Sequence, residues 1–179
     1  MATLYNEDDL KNIVMKCADE SDEYQDPKEM IKNGKKIYAY VTLVMLGDLY
    51  ISGAIVLAYS IRKLGSLADL VVLVTHDVSM EGREVLSLYF DHVIEIPYVD
   101  APNWRTKQQG NTKKYLSLVF TKFHVFNLVQ YEKILLIDAD ALVLKYPDHL
   151  FSLNTPAGCF LEDKDLIIIE LINQTRADK

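Results

Sequence analysis

Four consecutive aliphatic residues, Ile134 to Ile137, run directly into Asp138-Ala139-Asp140, and this junction constrains the fold more than any other part of the chain. A run with no polar alternation describes a strand covered on both faces, the mark of a parallel sheet. Ligands of such sheets bind outside the carboxyl ends of the strands, which is where these two carboxylates would stand. If the backbone stays extended beyond Ile137, residues i and i+2 point the same way, and Asp138 and Asp140 offer oxygens to one cation. Such a pair suits Mn²⁺ or Mg²⁺ with a phosphate on its far side. As a bare tripeptide, Asp-x-Asp also describes a solvated turn. The apolar segments on either side, with Leu142-Val143-Leu144 following, favour the metal, because two like charges between buried segments need a partner to offset desolvation and repulsion.

Similar runs recur upstream. Lys36 to Leu43, Leu70 to Val74 and Val93 to Ile96 read as strands. Between them, Asp48 is expected to cap an apolar helix running through Ile61 to about Gly65, and Ser79 to open a helix with Val85, Leu86 and Leu88 facing inward. A third helix is expected from Tyr115 to Gln130, before the carboxylate strand. This alternation predicts βαβ units in a doubly wound α/β sheet. The connection from Tyr98 to Lys114 is long for a compact domain and gathers Arg105, Lys107, Lys113 and Lys114, a basic set suited to a diphosphate. After Pro147 and Pro156 comes one last apolar segment, Leu166 to Ile172.

Length and composition exclude several classes. A chain of 179 residues fits one domain with a sizeable core. Its net charge of −7 is concentrated in residues 1 to 26, where eight acids and two lysines leave −6. Residues 1–35 therefore read as an acidic helix, with Leu10, Ile13, Val14 and Cys17 at helical spacing, followed by a linker; residues 36–179 read as the ligand-binding domain. This acidity argues against nucleic acid as a partner. The first residues carry no basic segment of a secretory signal. Leu43 to Tyr59 is broken by Gly47-Asp48 and Gly53, so no membrane span is expected. Cys17 and Cys159 lie far apart, which favours a reducing, cytoplasmic setting. His76, His92, His124 and His149 show no metal-ligand spacing, and neither a dinucleotide fingerprint nor a Walker-type phosphate loop occurs.

Several longer segments together resemble the glycogenin-like family 8 glycosyltransferases. They are Ala39-Tyr40-Val41-Thr42-Leu43, the helix start from Tyr50 with Ser52-Gly53-Ala54-Ile55-Val56-Leu57, Leu70 to Thr75, Thr121-Lys122-Phe123-His124, Gln130-Tyr131 and Asp138 to Leu144. The resemblance covers residues 37 to 153. It implies a GT-A (Rossmann-like) fold, a mostly parallel sheet flanked by helices, and transfer of a hexose from a UDP-sugar, with retention at the anomeric carbon, to an unknown sugar or protein acceptor. It also implies site residues. Leu43, Val44 and Met45 would line the nucleoside and Tyr50 would stack on uracil. Asp138 would contact ribose and metal, Ala139 the ribose, and Asp140 would be the main ligand of Mn²⁺ (or Mg²⁺). Lys122 would reach the sugar-phosphate, and Lys113 would take the place of a family arginine near the diphosphate.

The chain departs from the family pattern at Val44 and Met45, where hydroxyl residues are usual, and in about one extra residue before Tyr50. The family's later segments have no counterpart here. The fold is therefore expected to be incomplete on its C-terminal side, with the carboxylate edge and Leu166 to Ile172 partly uncovered. That in turn favours a homodimer or a second chain, and a non-catalytic nucleotide-sugar-binding module as the alternative function. A more remote alternative is a haloacid-dehalogenase-type phosphatase, whose first motif Ile134 to Asp140 also resembles.

Overall fold

In a computed structural model, residues 29–99, 118–155, 157–158 and 169–173 are described. The expected N-terminal helix and the basic cluster from Arg105 to Lys114 lie outside them. Asn33 and Gly34, both at positive φ, turn a short antiparallel hairpin of β1 (Ile31–Lys32) and β2 (Lys35–Lys36), the conformation Asn-Gly favours. This hairpin falls in the stretch read from sequence as linker.

The β-branched and aliphatic runs then form β3 (Tyr38–Val44), β4 (Asp69–Val74), β5 (His92–Glu95) and β6 (Lys133–Ile137). β3 pairs in parallel with β4 on one side and β6 on the other, and β4 pairs in parallel with β5. Two helices, α1 (Ile51–Lys63) and α2 (Met80–Ser87), cover one face, and a 3₁₀ segment (Val119–Asn127) lies on the other. Side-chain alternation divides the core accordingly. Tyr40, Val44, Leu70, Val72, Val74, Leu135 and Ile137 pack with Ala54, Leu57 and Ile61 of α1. Ala39, Val41, Val71, Leu73, Ile134 and Leu136 pack with Val125, Leu128 and Tyr131. The mostly parallel α/β sheet is thus the architecture the sequence implies.

Two further strands, β7 (Ala157–Gly158) and β8 (Ile169–Asn173), complete the sheet in the order β5-β4-β3-β6-β8-β7. β8 runs antiparallel to β6, with Leu135 opposite Leu171. This corrects the expectation of an uncovered carboxylate edge, because the last apolar segment supplies β6 with its second neighbour. A buried carboxylate anchors the chain beyond the acidic turn: Asp148, fully inaccessible, accepts from the Tyr40 hydroxyl at 2.7 Å and the Tyr146 hydroxyl at 3.0 Å.

Three local expectations change. Of the third helix, expected from Tyr115 to Gln130, the described part from Val119 to Asn127 is wound as 3₁₀ and not as α-helix. Its Phe120, Phe123 and Phe126 recur every third residue, a spacing that α and 3₁₀ windings both satisfy, and Val119, Thr121 and Val125 are β-branched and poor α-formers. In α2 only Leu86 of the three expected inward residues is buried, while Val85 and Leu88 are exposed; the helix is too short and too near the surface to bury a wider face. Asp48 does not cap α1. Tyr50 occupies the N-cap position, and the Asp48 carboxylate accepts the Ser79 N–H at 2.8 Å instead. Ser79 caps α2 as expected, accepting from the Gly82 N–H at 2.9 Å.

Candidate functional site

The sheet order reverses between β3 and β6, since the chain builds β4 and β5 on one side of β3 and then returns to the other. A crevice outside the carboxyl ends of two strands that diverge in this way is where open α/β sheets bind ligands. The residues at that crevice are those that follow Val44 and Ile137.

Asp138 opens a turn: the Ala141 N–H donates to its carbonyl at 3.1 Å, so the backbone is not extended through Asp140. This corrects the strand-like alignment of the two carboxylates. The cause lies at Ala139, whose side chain is buried in the core and whose carbonyl stands against Gly53 of α1. A Cβ on Gly53 would come within 2.6 Å of that oxygen, so the absence of a side chain lets the helix seat the turn. Asp138 is left partly exposed and Asp140 exposed. From the opposite face of the sheet, the largely buried side chain of Lys122 brings its Nζ to 3.7 Å from Asp138 Oδ1.

At the end of β3, Leu43 is partly buried against the second core cluster, Val44 sends its side chain into the first, and Met45 is buried. Val44 therefore has only its backbone to offer a ligand. Leu46 and Gly47 follow with φ of 62° and 85°. Tyr50, at the start of α1, is 38 % exposed, the one aromatic in the turn from β3 to α1. Lys113 lies outside the described residues.

Sequence reading passed over Tyr98 and Asp77. The Tyr98 hydroxyl accepts the Leu46 N–H at 3.0 Å and donates to the Asp77 carboxylate at 2.9 and 3.0 Å. Burial pushes the Tyr98 phenol up. Desolvation opposes ionisation of Asp77, but bonds from Thr75 and Tyr98 outweigh it and hold the carboxyl below its usual range. No local pattern marks such a long-range bond. The interruption at Gly53 did carry a signal, since a glycine inside a helix often marks a close backbone approach.

The carboxylates of Asp138, beside Lys122, and of the exposed Asp140 are hard oxygen donors. They fit a divalent cation that keeps waters and shares a phosphate, as Mg²⁺ and Mn²⁺ do with one or two protein carboxylates. Among the described residues, no group of three or more His, Cys, Asp or Glu side chains could hold a metal on its own. Among those residues, too, no helix is long and apolar enough to cross a membrane.

The fold and site define a mostly parallel α/β protein with an acidic turn and a lysine at its topological switch point. The sequence pattern of glycosyl transferase family 8 matches residues 41–167, and the chain belongs to that family. It is 42 % identical to uncharacterized protein R707 of Acanthamoeba polyphaga mimivirus, over 68 % of this chain and 42 % of that protein. It is 40 % identical to human glycogenin-2, over 63 % of this chain and 22 % of that one. It is 35 % identical to UDP-glucuronate:xylan alpha-glucuronosyltransferase 1 of Arabidopsis thaliana, over 64 % of this chain and 16 % of that one. The chain thus spans less than half the length of these relatives. Family membership also decides against the phosphatase reading.

Proposed function

We propose that the chain binds a uridine-diphosphate sugar in the crevice between β3 and β6 and serves transfer of its hexose to a sugar or protein acceptor, with retention at the anomeric carbon. The observation that carries this is the meeting of the Asp138-to-Asp140 turn and the Lys122 ammonium at the switch point. The name of one relative, a UDP-glucuronate:xylan alpha-glucuronosyltransferase, supports the donor class.

In this reading Asp138 and Asp140 hold Mn²⁺ or Mg²⁺. When bound, the cation neutralises the charge that gathers on the diphosphate as the glycosidic bond breaks. Lys122 adds a fixed positive charge on the same side without proton transfer. Leu43, Val44 and Met45 line the nucleoside, Val44 through its backbone, and Tyr50 stacks on uracil. Ala139 approaches the ribose, and Lys113 adds charge at the diphosphate. Groups beyond the described residues, waters and phosphate complete the metal shell, and a second copy or a second chain is one source of them. Residues 36–179 act as the donor-binding unit and residues 1–35 as an acidic appendage. The two widely separated cysteines support a reducing, cytoplasmic setting.

Titration calorimetry of uridine diphosphate with and without Mn²⁺ tests the reading. The metal should raise nucleotide affinity about tenfold or more, the nucleotide should raise metal affinity by the same factor, and Asp140→Ala should abolish both effects. Equal affinities with and without Mn²⁺ would remove the metal site from the reading. Absence of nucleotide binding under both conditions would remove the donor.

A further inference from the structure

The segment that leaves β5 crosses the carboxyl ends of β4 and β3 and ties them to the 3₁₀ segment. The Tyr98 hydroxyl accepts the Leu46 N–H at 3.0 Å and donates to Asp77, whose carboxylate also accepts from Thr75 Oγ1 at 2.5 Å. One residue on, the Val99 N–H donates at 3.1 Å to the hydroxyl of Thr121, a buried residue adjacent to Lys122. The His76 ring meets the Tyr98 ring edge-on, with centroids 5.5 Å apart. A single short strap therefore touches the turn that leads to Tyr50, the connection after β4 and the segment that carries Lys122.

What the strap holds at Leu46 is unusual. With φ at 62°, Leu46 is in the left-handed region, where a non-glycine residue persists only if its surroundings fix it. Gly47 continues the left-handed path at 85° and needs no such help. The turn is pinned again further on, where the Asp48 carboxylate accepts the Ser79 N–H. Just beyond the second pin the backbone delivers Leu49, 80 % exposed, and Tyr50 to the start of α1. The second pin acts through a side chain on the turn itself, whereas the first depends on a hydroxyl borrowed from elsewhere in the chain.

We propose that Tyr98 is a positioning residue for nucleotide binding: its hydroxyl locks the left-handed Leu46–Gly47 turn, and with it the placement of Tyr50, and so sets the affinity of the crevice for a nucleoside diphosphate. This rests on the donor-binding reading above. Tyr98 touches no ligand in this scheme; it acts through Leu46.

Two measurements on the full chain test it. Amide hydrogen exchange followed by NMR reads the lock without any ligand. The Leu46 N–H should be protected in the wild type and lose most of its protection in Tyr98→Phe, while the Thr75 N–H, bonded to the Val44 carbonyl, keeps its own. Calorimetry with uridine diphosphate and Mn²⁺ reads the consequence: Tyr98→Phe should bind about fivefold more weakly, as expected for one net hydrogen bond lost, with a melting temperature lowered by only about 2 to 4 °C. Adding Leu46→Asn to Tyr98→Phe should recover much of that loss, since asparagine tolerates the left-handed region and leucine does not. A purely structural tyrosine would not give this rescue. Equal Leu46 protection in wild type and Tyr98→Phe overturns the lock, and equal nucleotide affinity in the two overturns its role in binding. If the wild type binds no uridine diphosphate, the donor-binding reading and the positioning role built on it both fail, whereas the lock stands or falls on the exchange data alone.

Discussion

Gly53 and Ala139 meet backbone to backbone: no side chain separates the first turn of α1 from the carbonyl at the centre of the acidic turn. In an ordinary helix, Gly→Ala gains about 1 kcal/mol. Here the added Cβ would have to displace a main-chain oxygen, and overpacking of that kind costs about 1 to 3 kcal/mol. Gly53→Ala should therefore be net destabilising in urea unfolding and should weaken Mn²⁺-dependent nucleotide binding together with stability. A variant more stable than the wild type would show that α1 can slide off the turn without cost.

Tyr50 should matter to the ligand far more than to the core. It lies outside both core clusters, and base stacking on an aromatic is worth ~1 to 3 kcal/mol. Tyr50→Ala should lower uridine affinity by at least about fivefold, the low end of that range. Its melting temperature should stay close to the wild-type value. A lowered melting temperature with unchanged affinity would make Tyr50 a packing residue and nothing more.

Lys122 separates the diphosphate from the nucleoside. Lys122→Met keeps the length and apolar stem of the side chain but removes the ammonium beside Asp138. Uridine diphosphate should bind roughly tenfold more weakly, the scale of a charge-assisted hydrogen bond, and uridine equally well. Equal losses for the two ligands would point to a distorted crevice instead of a missing charge.

Alkaline pH should unfold the protein through its buried phenols. Burial, then the hydrogen bond each donates to a carboxylate, pushes Tyr40 and Tyr131 well above the usual tyrosine value of 10.0; Tyr40 donates to Asp148 and Tyr131 to Asp69. A phenol whose folded value lies above its unfolded one contributes stability that is complete below pH 10 and is lost as the pH rises beyond it, because only the unfolded chain releases the proton. Melting temperatures should fall steeply above pH 10, and Tyr131→Phe, with one such phenol fewer, should show a shallower decline. Ionisation of all eleven tyrosines at 295 nm before unfolding would contradict this.

Much of this arrangement could be read from local chemistry. The aliphatic runs of β3, β4 and β6 announced strands covered on both faces, and Ser79 announced the start of α2 by the hydrogen bond it makes. Most of the misreadings involve competition between partners that local sequence does not rank. Asp48 has a carboxylate suited to capping, but its sequence does not say that the Ser79 N–H is nearer than those of α1. Asp138 and Asp140 alternate like strand residues until Ala139, drawn into the core against Gly53, bends the chain between them. Leu166 to Ile172 was visible as an apolar segment, whereas its pairing with β6 is a long-range choice of register. Tyr98 belongs with these, for its partners Leu46 and Asp77 sit on two other connections.

The place of β6 in the sheet sets the order in which the site can be made. β3, α1 and β4 follow one another closely in the chain and can associate as soon as they are synthesised, before any of the acidic turn exists. The carboxylate strand docks later onto β3, and its other flank has no partner until Asn173 has left the ribosome. During that interval Ile134 to Ile137 offers an open backbone edge to any strand nearby, so this is the window in which a nascent chain is most exposed to wrong pairing and most in need of a chaperone.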